Sequence, residues 1–202
     1  MERQKIILAT RNQDKLKEIK EIFNHDLFEL ISLDTFDTVP EIIEDGDTLL
    51  ENATKKAEIV FQKTGLPALA DDTGLEVDYL EGRPGVRSSR FAGENVRYED
   101  NNRKLLTLLK NVPWEEREAR FRTIVVFKSD KVRFSTEGIC PGIIYTELKG
   151  KNGFGYDPLF YVPDKEKTLA EMKLVEKNRI SHRGIAFKKM AKILKEKEEG
   201  IF

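Results

Sequence analysis

Hydrophobic positions in this chain fall into two patterns, unbroken apolar runs and stretches where they recur every three or four residues. The first predicts buried strands, the second amphipathic helices. "KIILAT" (5–10) is a buried strand, and "NQDKLKEIKEIF" (12–23) puts Leu16, Ile19 and Phe23 on one helical face behind an Asn12 N-cap. "FELISL" (28–33) is a second strand, so the chain opens as a β-α-β unit, followed by an acidic loop over 34–47. "TLLENATKKAEIVFQKTG" (48–65) is a helix with Leu49, Ala53, Ala57, Val60 and Phe61 inward. Thr48 with Glu51 matches a capping box, and Gly65 closes the end.

Beyond it, "LPALADDTGLEVD" (66–78) reads as a strand ending on two acids, with "LEVDYL" (75–80) as the next strand and a Gly/Pro/Arg/Ser-rich loop running through Gly93. "VRYEDNNRKLLTLLK" (96–110) is amphipathic through Leu105, Leu108 and Leu109. Residues 119–138 form two strands around Ser129-Asp130, and "GIIYTEL" (142–148) forms another. "GFGYDPLFYVP" (153–163) is a Gly-rich turn into an apolar segment, and a last helix over roughly 183–197 buries Ala186, Met190, Ile193 and Leu194. Parallel β-α-β units with an antiparallel hairpin predict an α/β fold with a mixed central sheet flanked by helices. No repeat or low-complexity tract interrupts it, and all 202 residues suit a single domain, 1–202, with room for two lobes sharing a core.

Composition narrows the function classes. Lys+Arg 35 against Asp+Glu 36 leaves a net charge of -1, so no global field draws the chain onto nucleic acid or membrane. Any anion it binds is met by a local cluster. The single cysteine, Cys140, permits no internal disulfide and suits a reducing compartment. No apolar run approaches the ~20 residues of a spanning helix, which together points to the cytoplasm.

The candidate chemistry lies at element ends. The first strand runs into "TRNQDK", where a helix N-terminus offers unpaired N–H groups. Thr10 and Asn12 add polar side chains there, and Lys15 lies one turn inside; the same residues also make an ordinary polar cap with a surface lysine. There is no Walker loop, and "GFGYDP" fails the dinucleotide fingerprint at Pro158. Asp-Asp-Thr-Gly at 71–74 is good turn chemistry, yet acids at a strand's carboxyl end also suit a metal or a water. Glu44 and Glu51 either join that pair around a divalent cation or serve as cap and solvated face. Arg83, Arg87 and Arg90 in one loop, and Lys177, Arg179, His182 and Arg183 near the last helix, add cations. Cations in four segments and carboxylates in two suit a polyphosphate with its magnesium, since carboxylates facing polyphosphate alone would repel it. An RNA-binding or other non-catalytic nucleotide-binding module is the competing reading, but it leaves the carboxylates unexplained.

Five segments, "ILATRNQDKLKEI", "EDGDTLLENATKKA", "ALADDTGLEVDYLEGRPGVRSSRFAG", "GFGYDPLFYVPD" and "EKNRISHRG", stand in the order found in the inosine/xanthosine triphosphate pyrophosphatase family. The resemblance runs from about Lys5 to Met190. It implies Mg2+-dependent hydrolysis of ITP, dITP and XTP to the monophosphate and pyrophosphate, by an elongated two-lobed subunit with its cleft between the lobes, usually a homodimer. A related enzyme with another modified-base preference is the nearest alternative. By motif, Thr10, Arg11, Asn12, Gln13, Asp14 and Lys15 bind the triphosphate, and Lys56 contacts phosphate. Glu44 and Asp72 hold the metal, with Asp72 also the catalytic base. Thr73 and Gly74 lie against the substrate. Phe154, Gly155, Tyr156 and Asp157, with Lys177, His182 and Arg183, form the nucleobase side, His182 and Arg183 donating to the 6-oxygen. Many family members carry serine at Thr73 and a small residue at Arg11.

Overall fold

The computed structural model describes residues 3–23 and 27–202. Its strands are β1 (Gln4–Leu8), β2 (Phe28–Ser32), β3 (Ala68–Val77), β4 (Pro84–Gly85), β5 (Glu118–Lys128), β6 (Arg133–Ile144), β7 (Phe160–Val162) and β8 (Lys167–Thr168). The helices are α1 (Gln13–Ile22), α2 (Leu49–Thr64), α3 (Tyr98–Leu108), α4 (Leu174–Ile180), α5 (His182–Glu196) and α6 (Glu198–Ile201). The sheet runs β2-β1-β3-β5-β6-β7-β8, with β4 paired to β3. β1 is parallel to β2 and β3, whereas β4, β7 and β8 pair antiparallel, so the sheet is mixed as expected. Among the described residues no helix is long and apolar enough to cross a membrane.

The chain forms two compact units. Met1–Asp72, Thr123–Gly138 and Arg183–Phe202 make the first, Thr73–Arg122 and Ile139–His182 the second. In the first unit the period-two alternation of a strand sorts the core into two layers. Ile6 and Leu8 of β1, Leu69 of β3 and Phe127 of β5 pack with α1 and α5, through Leu16, Ile19, Phe187 and Met190. Ile7, Ala9, Ala68, Ala70 and Val126 pack with α2, through Ala53, Ala57 and Val60. Covered on both faces, these strands read as continuous apolar runs. The second unit has its own core, where Leu75, Leu105, Leu109, Phe121, Leu159 and Phe160 meet.

The local signals held. Asn12 Oδ1 accepts from the Asp14 and Lys15 amides and caps α1. Thr48 and Glu51 form the capping box of α2, and Gly65 ends it in the left-handed region at φ 69°. Two expectations on extent did not hold. Asp71 and Asp72 do not end a strand: β3 continues through them and Thr73-Gly74 to Val77. The turn chemistry is overridden because β4 pairs with β3 beyond the acids, Leu75 opposite Gly85. A Cβ on Gly74 would lie 2.8 Å from the Gly85 carbonyl oxygen, so this glycine serves close approach rather than a turn. The strands expected on either side of residue 140 are one strand, β6, which stops at Ile144. The expected last helix, α5, runs His182–Glu196, within a residue of the expected span at each end, and a separate α4 precedes it.

Candidate active site

β1 stops at Leu8, opposite Leu69, and the Ala9 amide closes the ladder on the Leu69 carbonyl at 2.7 Å. Asp71 and Asp72 therefore stand on β3 just past the end of its parallel neighbour. The pleat sends them to opposite faces. Asp71 follows Leu69 toward α1 and α5, where Lys15 Nζ lies 3.1 Å and Arg183 Nε 3.5 Å from its Oδ2. Arg183 Nη1 in turn pairs with Glu18, and both of these side chains are buried. Asp72 follows Ala68 and Ala70 toward α2, where Asn52 Nδ2 donates to Oδ2 at 3.0 Å and Lys56 Nζ lies 3.8 Å from Oδ1.

The two carboxyls titrate in opposite directions for that reason. Burial alone raises both. At Asp71 it is outweighed by Lys15, Arg183 and Lys56, which hold the carboxyl below its ordinary range. At Asp72 burial wins over Lys56, and the charge of Glu44 adds to it, so the carboxyl is raised. Lys56 is itself buried, which disfavours its charge, but Glu44, Asp72 and Asp71 more than compensate and raise it. Its ammonium bonds Glu44 Oε1 and the Asp71 carbonyl, both at 2.5 Å.

A concavity of about 310 Å³ in the same unit is lined by Thr10, Arg11, Glu44, Lys56 and the segment Pro40–Ile42. Of the residues expected at the triphosphate, the structure thus gathers Thr10, Arg11 and Lys56 with the metal candidate Glu44. Asn12 stands at the adjoining helix start, its own amide on Thr10 Oγ1 at 3.2 Å. Arg11 also ties down the neighbouring loop, donating from Nη2 to the Val39 carbonyl at 2.8 Å. Gln13 is bonded to Asp34 at 2.8 Å, and Asp14 is exposed in the first turn of α1.

The second unit orders the Gly-rich turn from within. Asp157 Oδ2 accepts from the Phe154 amide at 2.9 Å and pairs with Lys177, both residues 2% exposed. Lys177 Nζ stands 5.2 Å from the centre of the Phe154 ring. The Gly155 carbonyl receives Asn102 Nδ2 at 3.0 Å, and Tyr156 donates its hydroxyl to the Ser88 carbonyl at 2.9 Å. His182 is buried and stacks on Phe121 at 4.4 Å. His182 belongs to this unit, while Arg183 belongs to the first, on Glu18 and Asp71.

Two residues that the sequence reading left without a role emerge here, Asn52 on Asp72 and Glu18 on Arg183. A signal existed for the first: Asn52 and Lys56 occupy inward positions of the otherwise apolar α2 stripe. Polar groups at such positions are buried only with partners.

The sequence pattern of the Ham1 family matches residues 6–193. A dITP/XTP pyrophosphatase of Desulforamulus reducens is 50% identical over 191 residues, covering 94% of this chain and 95% of its own. The dITP/XTP pyrophosphatase of Geobacter sulfurreducens is also 50% identical, over 90% of this chain and 92% of its own. Among solved structures, a HAM1 protein from Coxiella burnetii aligns with TM-score 0.87 and 41% identity, covering 96% of this chain and 99% of that one.

Proposed function

The chain belongs to the Ham1 family, and on that premise we propose that it hydrolyses non-standard purine nucleoside triphosphates (ITP, dITP, XTP) to the monophosphate and pyrophosphate. The observation that carries this is the placement of Lys15, Lys56, Glu44 and the split Asp71/Asp72 pair around the start of α1 and α2. Two lysines and a helix N-terminus receive the polyphosphate. Asp72, with its raised carboxyl, accepts a proton from the attacking water more readily than an ordinary aspartate. Asp71 is committed to Lys15 and Arg183 and fixes the first of these cations.

The donor set fits Mg2+. No group of three or more His, Cys, Asp or Glu gathers among the described residues, so nothing there forms an all-protein cage. Mg2+ instead takes one or two carboxylates and completes its shell with water and substrate phosphates. Glu44 and Asp72 would hold it, and it supplies charge neutralisation on the triphosphate. The base end of the proposal rests on the resemblance: Phe154, Gly155, Tyr156 and Asp157, with Lys177, face the base, and His182 and Arg183 donate to its 6-oxygen. A homodimer acting in the cytoplasm completes it; light scattering on the eluting protein tests the first of these.

The test is product analysis with dITP, XTP and dATP, with and without Mg2+. Hydrolysis of dITP to dIMP and pyrophosphate, dependent on Mg2+, is the expected result. Asp72→Asn loses about 10²–10⁴ of that rate while staying folded. Initial release of dIDP and phosphate, or near-normal turnover by Asp72→Asn, would overturn the proposal.

A further inference from the structure

α2 carries an asparagine on its inward stripe, Asn52, that is 1% exposed and has both ends of its amide engaged. Its Oδ1 accepts from the Gly46 amide at 2.8 Å, and its Nδ2 donates to Asp72 Oδ2 at 3.0 Å. The partners fix the amide's orientation: a backbone N–H only donates and a carboxylate only accepts, so the flipped amide would oppose like groups at both ends. Gly46 lies two residues after Glu44, in the loop entering α2. We infer that Asn52 is a positioning residue for the reaction, a rigid spacer that sets the loop bearing Glu44 at a fixed distance from the Asp72 carboxylate.

Three further features support this. Asp72 Oδ1 points to Lys56, so the bond from Asn52 leaves one carboxylate edge directed and the other committed. Glu51 Oε2 holds the Asp47 amide at 2.8 Å and the Thr48 amide at 3.2 Å, and Lys55 holds Asp45 at 2.6 Å, so the loop is pinned on both sides of Gly46. At Gly46 itself a Cβ would lie 2.8 Å from Asn52 Oδ1 and 2.9 Å from Glu51 Cβ, so glycine is what lets the loop come close enough to reach the amide. The side-chain bonds of Asn52 go to Gly46 and Asp72, not to the lysines expected to hold phosphate. Its loss should therefore act on the chemical step and on cation binding, with little effect on nucleotide binding.

The inference rests on the pyrophosphohydrolase reading, and one experiment separates the two. Wild type, Asn52→Ala and Gly46→Ala are compared for kcat and KM with dITP. Mn2+ affinity is measured by electron paramagnetic resonance with the α,β-imido analogue of dITP, and folding by circular dichroism. Expected is a kcat lower by about 10–100-fold in Asn52→Ala, with KM nearly unchanged and Mn2+ bound several-fold more weakly, as for partners that orient metal ligands. Gly46→Ala shifts the same quantities in the same direction, and decides the matter if Asn52→Ala does not fold. A folded variant with wild-type kcat and Mn2+ affinity, or a loss confined to KM, overturns the inference while the reaction stands. A wild type that leaves dITP intact overturns the reading and the inference with it.

Discussion

Asp71 and Asp72 are chemically identical neighbours, and the pleat of one strand gives them opposite surroundings. Asp71 has two cationic partners, Arg183 buried and Lys15 partly so, and an ionised carboxyl that the fold stabilises; Asp72 is buried beside a second acid and is less readily ionised than in water. Their stability effects should have opposite signs. Folded Asp71 titrates below its unfolded value, so its charge stabilises the fold at neutral pH, and the contribution is lost as pH falls below about 4. Asp71→Asn takes a counter-charge from the partly buried Lys15 and leaves the buried Arg183 with Glu18, and it should cost about 3–5 kcal/mol at pH 7. Folded Asp72 titrates above its unfolded value, so its charge weakens the fold at pH 7, and Asp72→Asn should be neutral or stabilising. Urea unfolding of the two variants checks this; equal losses would contradict it.

At the scale of elements, the recurring device is a buried polar side chain that fastens a loop to a helix or strand. Arg117 is the extreme case, 2% exposed. It donates to the carbonyls of Leu109 and Ile144 at 2.6 Å and of Tyr145 at 3.0 Å. It thereby satisfies the C-terminal end of α3 and the end of β6 together, where carbonyls lack partners of their own. Lysine offers one compact ammonium in place of the planar fork and cannot reach all three carbonyls. Arg117→Lys is expected to cost about 2–4 kcal/mol, read from the urea midpoint, with hydrogen exchange rising at the end of α3. An unchanged midpoint would show that the carbonyls find water instead.

For the whole molecule, ligand selectivity should appear as stability. A nucleotide that binds only the folded chain stabilises it by about 2.7 kcal/mol at one hundred times its dissociation constant. For a chain of this length each kcal/mol is worth about 2–4 °C, so the α,β-imido analogue of dITP with Mg2+ should raise Tm by about 5–10 °C. The corresponding dATP analogue at the same concentration should raise it by no more than about 2 °C if its affinity is a hundredfold lower. Equal shifts with both analogues would remove the case for base selection.

Periodicity, caps and turn residues were legible in the chain because they depend on neighbours. The apolar run at β1, the Asn12 cap, the Thr48–Glu51 box and the Gly65 stop all appear where expected. Of the residues quoted for the polyphosphate, Thr10, Arg11 and Lys56 line one concavity with Glu44. The course of β3 through Asp71–Gly74 was not, because turn propensity is local while the pairing that overrides it comes from Pro84–Gly85. Once the strand is known to continue, its alternation alone separates the two acids. The partners of the buried charges lay furthest from view: Glu18 meets Arg183 across 165 positions of sequence, and Asn52 meets Asp72 across 20. A sequence displays which side chains are polar and on which face of a helix they fall. Which opposite charge arrives there depends on how β1, β3 and α5 come together, and burying those charges is tolerable only once all of them are in place.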